Sequence, residues 1–421
     1  MGILDAPGLS LAQAKRDYIP RSESAARVMR RAPANRGSSG WSIPTQSNND
    51  TANSTPDYTA DAFFGDRCLR IVTLGNAAQV YATRTMNTTF DASDCFVRLT
   101  LKVTDYDFTN IQVIVANSSA SLASTANIGF TAGGASAASY AVQSGRWIVI
   151  DLPQSKFSGN ADWTNIQFVR IGITDISGQP TEMRVHSIDF IKRDTFGKNP
   201  NGMVVITADD SHVTQYTVLK DALAARGWKA TLMPIPGSHG TDSNVFMTDA
   251  QVQELHDTYG WEVGAHCYDV SSHGKGLPNL TQAQRLAEFE AVRSWQKSMG
   301  FSSPSHSYPL GTHDAATEAD VAKYWSASRL ASSHGFNETA TPARRYSIAA
   351  ENITIGATAI GTAATKAKND KGVLFVMLHS IAATGDANNI TPATLTAVLD
   401  AIAASGCDVV TMEQALTRMG Y

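Results

Sequence analysis

The sequence predicts an all-β sandwich followed by an α/β domain built on a parallel sheet or barrel. Two observations carry this. From about residue 57 to 195, apolar residues recur with period two between clusters of Gly, Ser, Asn and Asp; beyond about residue 200, strand-like runs alternate with amphipathic helical ones. Residues 1–56 show neither pattern. The expected organisation is an N-terminal arm and linker (1–56), a jelly-roll-like β-sandwich (57–196) and an α/β domain (197–421).

Composition narrows the function. The chain has 421 residues, 43% apolar and 17% charged, with a formal net charge of -4. That balance argues against a basic nucleic-acid binder and suits a protein that faces polar substrates. No stretch approaches the roughly 18 apolar residues of a membrane span, so no membrane partner is expected. The N-terminus has no basic start followed by an apolar core, so no signal peptide is read there. The four cysteines, Cys68, Cys95, Cys267 and Cys407, contain no CxxC pair. They read as buried small hydrophobes, with a Cys68–Cys95 disulfide as the alternative.

Within the arm, "SESAARVMRRAPANR" reads as a basic, helix-capable segment and "GSSGWSIPTQSNNDTANSTPD" as a polar linker. Together they predict either a flexible arm or a docking peptide that orders on a larger assembly.

In the sandwich, "CFVRLTLKV" places Cys95, Val97, Leu99, Leu101 and Val103 on one face and Arg98, Thr100 and Lys102 on the other. "NIQVIVA", "RWIVIDLP", "FVRIGITDI" and "TEMRVHSIDFIKRD" read as further strands. The run resembles the jelly-roll modules that accompany carbohydrate-active enzymes. Glycan binding and a rigid spacer or oligomer contact are both open readings.

In the α/β domain, "MVVITADD", "KATLMPI", "WEVGAH", "SHSYPLG", "GVLFVMLHSI" and "CDVVTM" read as strands. Helices are expected over "VTQYTVLKDALAARG", "MTDAQVQELHDTYG", "TQAQRLAEFEAVRSWQKSMG" and "TPATLTAVLDAIAASG". Active sites in this class lie at the carboxyl ends of the strands. Those ends carry Asp209-Asp210, His266, Tyr308-Pro309 and His379-Ser380, and nine of the ten histidines lie beyond residue 200. One carboxylate with two histidines is a common set for a catalytic zinc. A divalent cation would also let two adjacent carboxylates take separate tasks.

"TADDS", "EVGAHCYDVSSH", "SYPLGTHD" and "VLFVMLHSI" resemble, in order and spacing, the motifs of the polysaccharide deacetylases, the NodB-homology fold of carbohydrate esterase family 4. The resemblance spans about residues 200 to 421 and implies a distorted (β/α) barrel of NodB-homology type. It implies Asp209 as general base, Asp210 and His266 as metal ligands, and His379 as general acid. It also implies that Tyr308 offers its backbone N–H to the oxyanion. In that chemistry a water attacks an acetyl carbonyl while Asp209 takes its proton. The implied cofactor is a divalent metal, zinc first, with cobalt, nickel or manganese as alternatives.

The sequence departs from the family pattern in four places. Ala208 and Ser211 stand where Phe and Gly are usual. The family's second motif spaces its histidines four apart, but position 270 is Val and the next histidine is His273, seven along. On a continuous helix seven residues rise about 10.5 Å, so His273 is expected to reach the metal only if "YDVSSHG" bulges as a loop, with Asp269 as the fallback ligand. No arginine precedes Tyr308 to brace the base, and no D-x-x-D-W motif is present to tune His379.

Each residue also has a plainer reading. Adjacent aspartates at a strand end commonly form a turn or a helix N-cap. His266 and His379 could be buried core histidines, and Tyr308 could be packing ahead of Pro309. His212, His306, His313 and His334 read as solvated or supporting.

The function expected is a metal-dependent deacetylase acting on N- or O-acetyl groups of a surface polysaccharide. The arm and the missing signal peptide together suggest an extracellular or virion-borne protein such as a phage tail fibre or tailspike. Other virion tail proteins would bind through residues 1–56, and a homo-oligomer is open. The competing readings are a non-enzymatic glycan-binding tail protein on a degenerate fold and a different metal hydrolase such as an amidase.

Overall fold

The computed structural model describes residues 28–33, 40–63, 67–120, 124–129, 144–193, 199–333, 335, 337–340, 342 and 344–421. The chain forms two compact units, Met1–Thr195 and Phe196–Tyr421.

The first unit holds β1 (Val28–Pro33), β2 (Trp41–Ser42), β3 (Thr55–Tyr58), β4 (Cys68–Val72), β5 (Gln79–Phe90) and β6 (Cys95–Val103). After them come β7 (Phe108–Ala116), β8 (Ser124–Gly129), β9 (Ile148–Leu152), β10 (Ser158–Gly159), β11 (Ile166–Asp175) and β12 (Glu182–Lys192). They form two six-stranded antiparallel sheets. One runs β3-β4-β12-β6-β9 with β1 also on β12; the other runs β10-β8-β7-β11-β5-β2. Phe90 of the second sheet meets Phe190 of the first edge to face, with ring centroids 4.9 Å apart.

Three expectations change here. The described part of the helix-capable segment, Val28–Pro33, is a strand paired with β12 rather than a helix. The stretch read as linker contributes two strands to the sheets: β2 pairs with β5 and β3 with β4. Its polar composition concealed buried groups that find partners. Asn48, fully buried, donates to the Ala78 carbonyl at 2.6 Å and to Asp175 at 3.0 Å, and accepts the Leu74 and Asn76 N–H groups. The arm proper, residues 1–27, lies outside the described residues. Finally, β6 is buried on both faces: Arg98 forks onto Asp151 with bonds of 2.6 and 2.7 Å. Cys68, Cys95, Cys267 and Cys407 are free, and burial pushes the Cys68 and Cys95 thiols up to about 12.

The second unit is built on β13 (Met203–Asp209), β14 (Thr231–Met233), β15 (Glu262–Val263), β16 (Ser305–Ser307), β17 (Ala327–Arg329), β18 (Glu351–Asn352), β19 (Val373–Leu378), β20 (Ser380–Ile381), β21 (Asn389–Ile390) and β22 (Asp408–Val410). Its main sheet is parallel, in the order β15-β14-β13-β19-β18 with β22 also on β13; β16 and β17 form a separate parallel pair. Single parallel bridges, Ala265–His306 and Arg329–Ile348, continue the pairing beyond these strands.

Helices α1 (Lys220–Ala224), α2 (Asp249–Asp257), α3 (Val270–Lys275), α4 (Gln282–Met299), α5 (Ala315–Val321), α6 (Ala357–Asn369), α7 (Pro392–Ser405) and α8 (Met412–Met419) connect the strands. Both faces of β13 and β19 are covered, as the unbroken apolar runs require. Val204, Ile206, Ala208, Leu374, Val376 and Leu378 enter one core, while Met203, Val205, Val373, Phe375 and Met377 enter the other. Each such side chain contributes about 1.5–3 kcal/mol by leaving water. The long helix α4 starts from a Thr281/Gln284 capping box and stops at Gly300, whose φ of 77° suits glycine. Among the described residues no helix is long and apolar enough to cross a membrane.

Candidate active site

The strands deliver their carboxyl ends to one place. Asp209 closes β13, His266 follows β15 by way of Ala265, Tyr308 follows β16, Arg329 closes β17 and His379 follows β19.

Asp210 is the hub. Its Oδ1 lies 3.5 Å from His266 Nε2 and 3.3 Å from His273 Nε2; its Oδ2 is 3.9 Å from both His379 Nε2 and His212 Nε2. Oδ1 is buried and makes no hydrogen bond. The donor atoms of Asp210, His266 and His273 all lie within 4.8 Å of one another. His266 is oriented from behind, because its Nδ1 donates to the Ser307 carbonyl at 2.8 Å. That bond fixes the tautomer and leaves the Nε2 lone pair facing Asp210. An unsatisfied carboxylate oxygen between two imidazole nitrogens fits a divalent cation, the donors being one oxygen and two nitrogens.

The seven-residue gap is bridged by a turn and a short helix, not by a bulged loop. The chain leaves His266 extended, turns at Tyr268, and starts α3 at Val270, so that His273 faces back to Asp210 from the first turns of that helix. Glu288 on α4 anchors the turn. It is mostly buried and accepts the Tyr268 and Asp269 N–H groups at 2.8 and 3.0 Å and the Ser272 hydroxyl at 2.7 Å. Asp269, the fallback ligand, is exposed at the N-terminus of α3 and lies outside the donor cluster. His273→Ala is therefore expected to weaken Co2+ binding in a calorimetric titration by about 10-fold or more, as loss of a metal-site partner commonly does. Asp269→Ala should leave it within a few-fold.

Electrostatics follow from this packing. Burial pushes the Asp210 carboxyl upward, but the adjacent His266 and His273 imidazoles outweigh it and hold it well below the usual carboxylate range. Burial likewise disfavours His273 carrying charge, yet Asp210 raises it above its ordinary 6.5. In the ion-free protein the attraction of charged His273 for Asp210 therefore stabilises fully below about pH 6.5 and fades as pH rises through the raised value. A cation needs the neutral imidazole. Melting curves across pH 5.5–8 should accordingly show the ion-free protein losing this contribution while the increment from added Co2+ grows. Parallel pH profiles with and without Co2+ would contradict it.

Asp209 has different neighbours. It is 3% exposed, and the fully buried Arg329 donates from Nη2 to its Oδ1. Arg329 is itself held by the Leu330 carbonyl at 2.8 Å and by Met377 Sδ at 3.5 Å. The brace that is missing ahead of Tyr308 thus arrives from β17, a strand with no periodic signal in the sequence. Gln215, fully buried in the π-helical turn Gln215–Leu219, joins two strand ends by donating to the Asp209 carbonyl at 2.5 Å and the His379 carbonyl at 2.7 Å.

Tyr308 does not have the expected N–H to offer. It is 1% exposed and its N–H donates to the Arg329 carbonyl at 3.0 Å, consumed by the pairing next to β16 and β17. Pro309 has no N–H, so the next along is that of Leu310, which has no acceptor among the described residues. Leu310 sits at φ 56° and its side chain is exposed. His379 Nδ1 is buried without a hydrogen-bond partner.

The remaining histidines separate clearly. His306 is fully buried, bonded to Ser328 and to the His266 carbonyl, and burial holds it well below its ordinary value; it supports rather than meets solvent. His313 is buried against Glu318. His212 lies at the site, stacked on Phe246. His334 lies outside the described residues.

Two carboxylates with different neighbours, ringed by imidazoles at the carboxyl ends of parallel strands, define the site of a hydrolase. Residues 196–325 match the family model of the polysaccharide deacetylases. No curated protein matches the chain by sequence. Among solved structures it is similar to the Xyl-CE4 domain of a multidomain xylanase from the hindgut metagenome of Trinervitermes trinervoides, with 18% identity over 52% of this chain and 92% of that one and a TM-score of 0.38. A family 4 carbohydrate esterase from Streptomyces lividans, in complex with acetate, has 22% identity over 49% and 92% and a TM-score of 0.34. A family 4 acetyl xylan esterase from Clostridium thermocellum, in complex with a cobalt ion, has 19% identity over 51% and 90% and a TM-score of 0.35.

Proposed function

We propose that the chain is a divalent-metal-dependent deacetylase that removes N- or O-acetyl groups from a polysaccharide, on a distorted (β/α) barrel of NodB-homology type. The observation that carries this is the donor set of Asp210, His266 and His273 beside a second, arginine-braced carboxylate. Asp210, His266 and His273 would hold the cation, which supplies a Lewis acid for the acetyl carbonyl when bound. Asp209, held in place by Arg329, accepts the proton of the water that attacks the carbonyl carbon. The Leu310 N–H is free to stabilise the developing oxyanion. His379 gives a proton to the departing amine or alkoxide.

The competing reading, a glycan-binding protein without chemistry, rested on the stretched second motif and the missing brace. His273 at 3.3 Å from Asp210 and Arg329 on Asp209 weigh against both grounds. The deciding experiment measures acetate release from a panel of N- and O-acetylated polysaccharides, with Co2+ or Zn2+ and with chelator. Acetate that depends on the metal and on Asp209 is expected. None from any substrate, in a protein that also binds no cation, would end the proposal.

A further inference from the structure

The turn that carries Asp210 adopts a backbone that its residues disfavour. Asp210 and Ser211 are consecutive non-glycine residues with φ of 70° and 60°, a left-handed pair that L-residues rarely form. Glycine, usual at the second position in the family the motif resembles, takes this conformation freely. Serine has to be held there.

The structure shows what holds it. Ser211 is fully buried, and its Oγ accepts the Ile235 N–H at 3.0 Å and lies 2.9 Å from His239 Nε2. His239 Nδ1 is 2.7 Å from Asp249 Oδ1, which also accepts the Trp295 indole N–H at 3.0 Å. The His239 side chain is 3% exposed and meets the edge of the Trp295 ring. Hydrogen-bond valence sets the directions. Asp249 takes the Nδ1 proton, so Nε2 is an acceptor and the Ser211 hydroxyl donates to it, leaving an oxygen lone pair for Ile235. Burial, opposed by Asp249, lowers the His239 pKa and favours that neutral ring.

Serine, histidine and aspartate bonded in this order are the parts of a nucleophile relay. Here the serine is sealed from solvent and its oxygen is already engaged by Ile235, so no acyl group can reach it. We infer that Asp249, His239 and Ser211 form a positioning relay: they tether the Ser211 hydroxyl, and through its backbone they keep the left-handed turn that aims the Asp210 carboxylate at His266 and His273. This rests on Asp210 being a cation ligand.

The test is a double-mutant cycle on His239→Ala and Ser211→Gly, read by Co2+ affinity in calorimetry and by the urea midpoint. His239→Ala alone should weaken Co2+ binding by about 10- to 100-fold, the range for partners behind a metal ligand. Ser211→Gly makes the turn without a tether and should stay within a few-fold of wild type. In the Ser211→Gly background, His239→Ala should then change affinity little. An equal loss in both backgrounds would show that His239 acts through packing on Trp295, and no loss in either would remove it from the site; both overturn the relay. Should His239→Ala fail to fold, His239→Phe keeps a ring against Trp295 but offers the Ser211 hydroxyl no acceptor, and is expected to follow the same pattern. A wild type that takes up no Co2+ overturns the metal reading itself. The relay is then judged by the urea cycle, where coupling between the two substitutions supports the tether and additivity refutes it.

Discussion

Replacing Arg329 with methionine is expected to destabilise the second unit by about 3–5 kcal/mol, the usual result of leaving a buried charge without its partner. Arg329 is 0% and Asp209 3% exposed, so water cannot take over from the guanidinium. Asp209→Asn should also destabilise, since it strands the arginine instead. The double variant should lose less than the sum of the singles, because the pair is removed together. Urea unfolding of the four proteins measures the coupling. Additive losses would mean that Arg329 serves only its other contacts, the Leu330 carbonyl and Met377. Acetate release should fall with Arg329→Met even at temperatures where the variant stays folded, because the Asp209 carboxylate, the proposed base, loses the guanidinium that aims it.

Asp210→Asn should have the largest effect on chemistry at the smallest cost in fold. The amide keeps the shape of the carboxylate but offers a cation no charge. Loss of a Lewis acid removes several kcal/mol of transition-state stabilisation. At a tenfold change per 1.36 kcal/mol, acetate release should drop roughly a thousandfold or more. Co2+ should also cease to raise the melting temperature, whereas in the wild type saturation at 100 times Kd adds about 2.7 kcal/mol. Equal Co2+ binding by Asp210→Asn and wild type would remove Asp210 from the ligand set. A wild-type rate unchanged by chelator would remove the metal from the reaction.

How much of this could be read from sequence depended on what each residue's neighbours looked like in the chain. Asp209, Asp210, His266 and His379 stand where apolar runs stop, and the strand-end rule places them together without knowledge of the packing. Arg329 had no such signal. Its strand is three residues long, within a stretch without periodicity, and an arginine is rarely fully buried. The role expected of Tyr308 failed for a related reason. Whether an N–H is free depends on the partner strand, and β17, the strand that consumes it, was the one not foreseen. Helix α6 and the strand β5 were also missed, the first for its glycine and threonines, the second because only Val80, Ala82 and Met86 of its length are deeply buried. Residues 40–58 misled in the opposite sense, since a hydrogen-bonded polar side chain such as Asn48 can line an interior as well as a surface.

The grip of Glu288 on the turn after Tyr268 has a consequence for how such a site tolerates change. His273 is delivered by a separately moored segment, so its position does not follow from counting residues along from His266. Insertions or deletions between the first imidazole and the mooring point are cheap as long as the carboxylate still catches two successive amides. The second imidazole becomes an exchangeable cassette: its loop can be lengthened, shortened or replaced while the strand bearing His266 is left untouched.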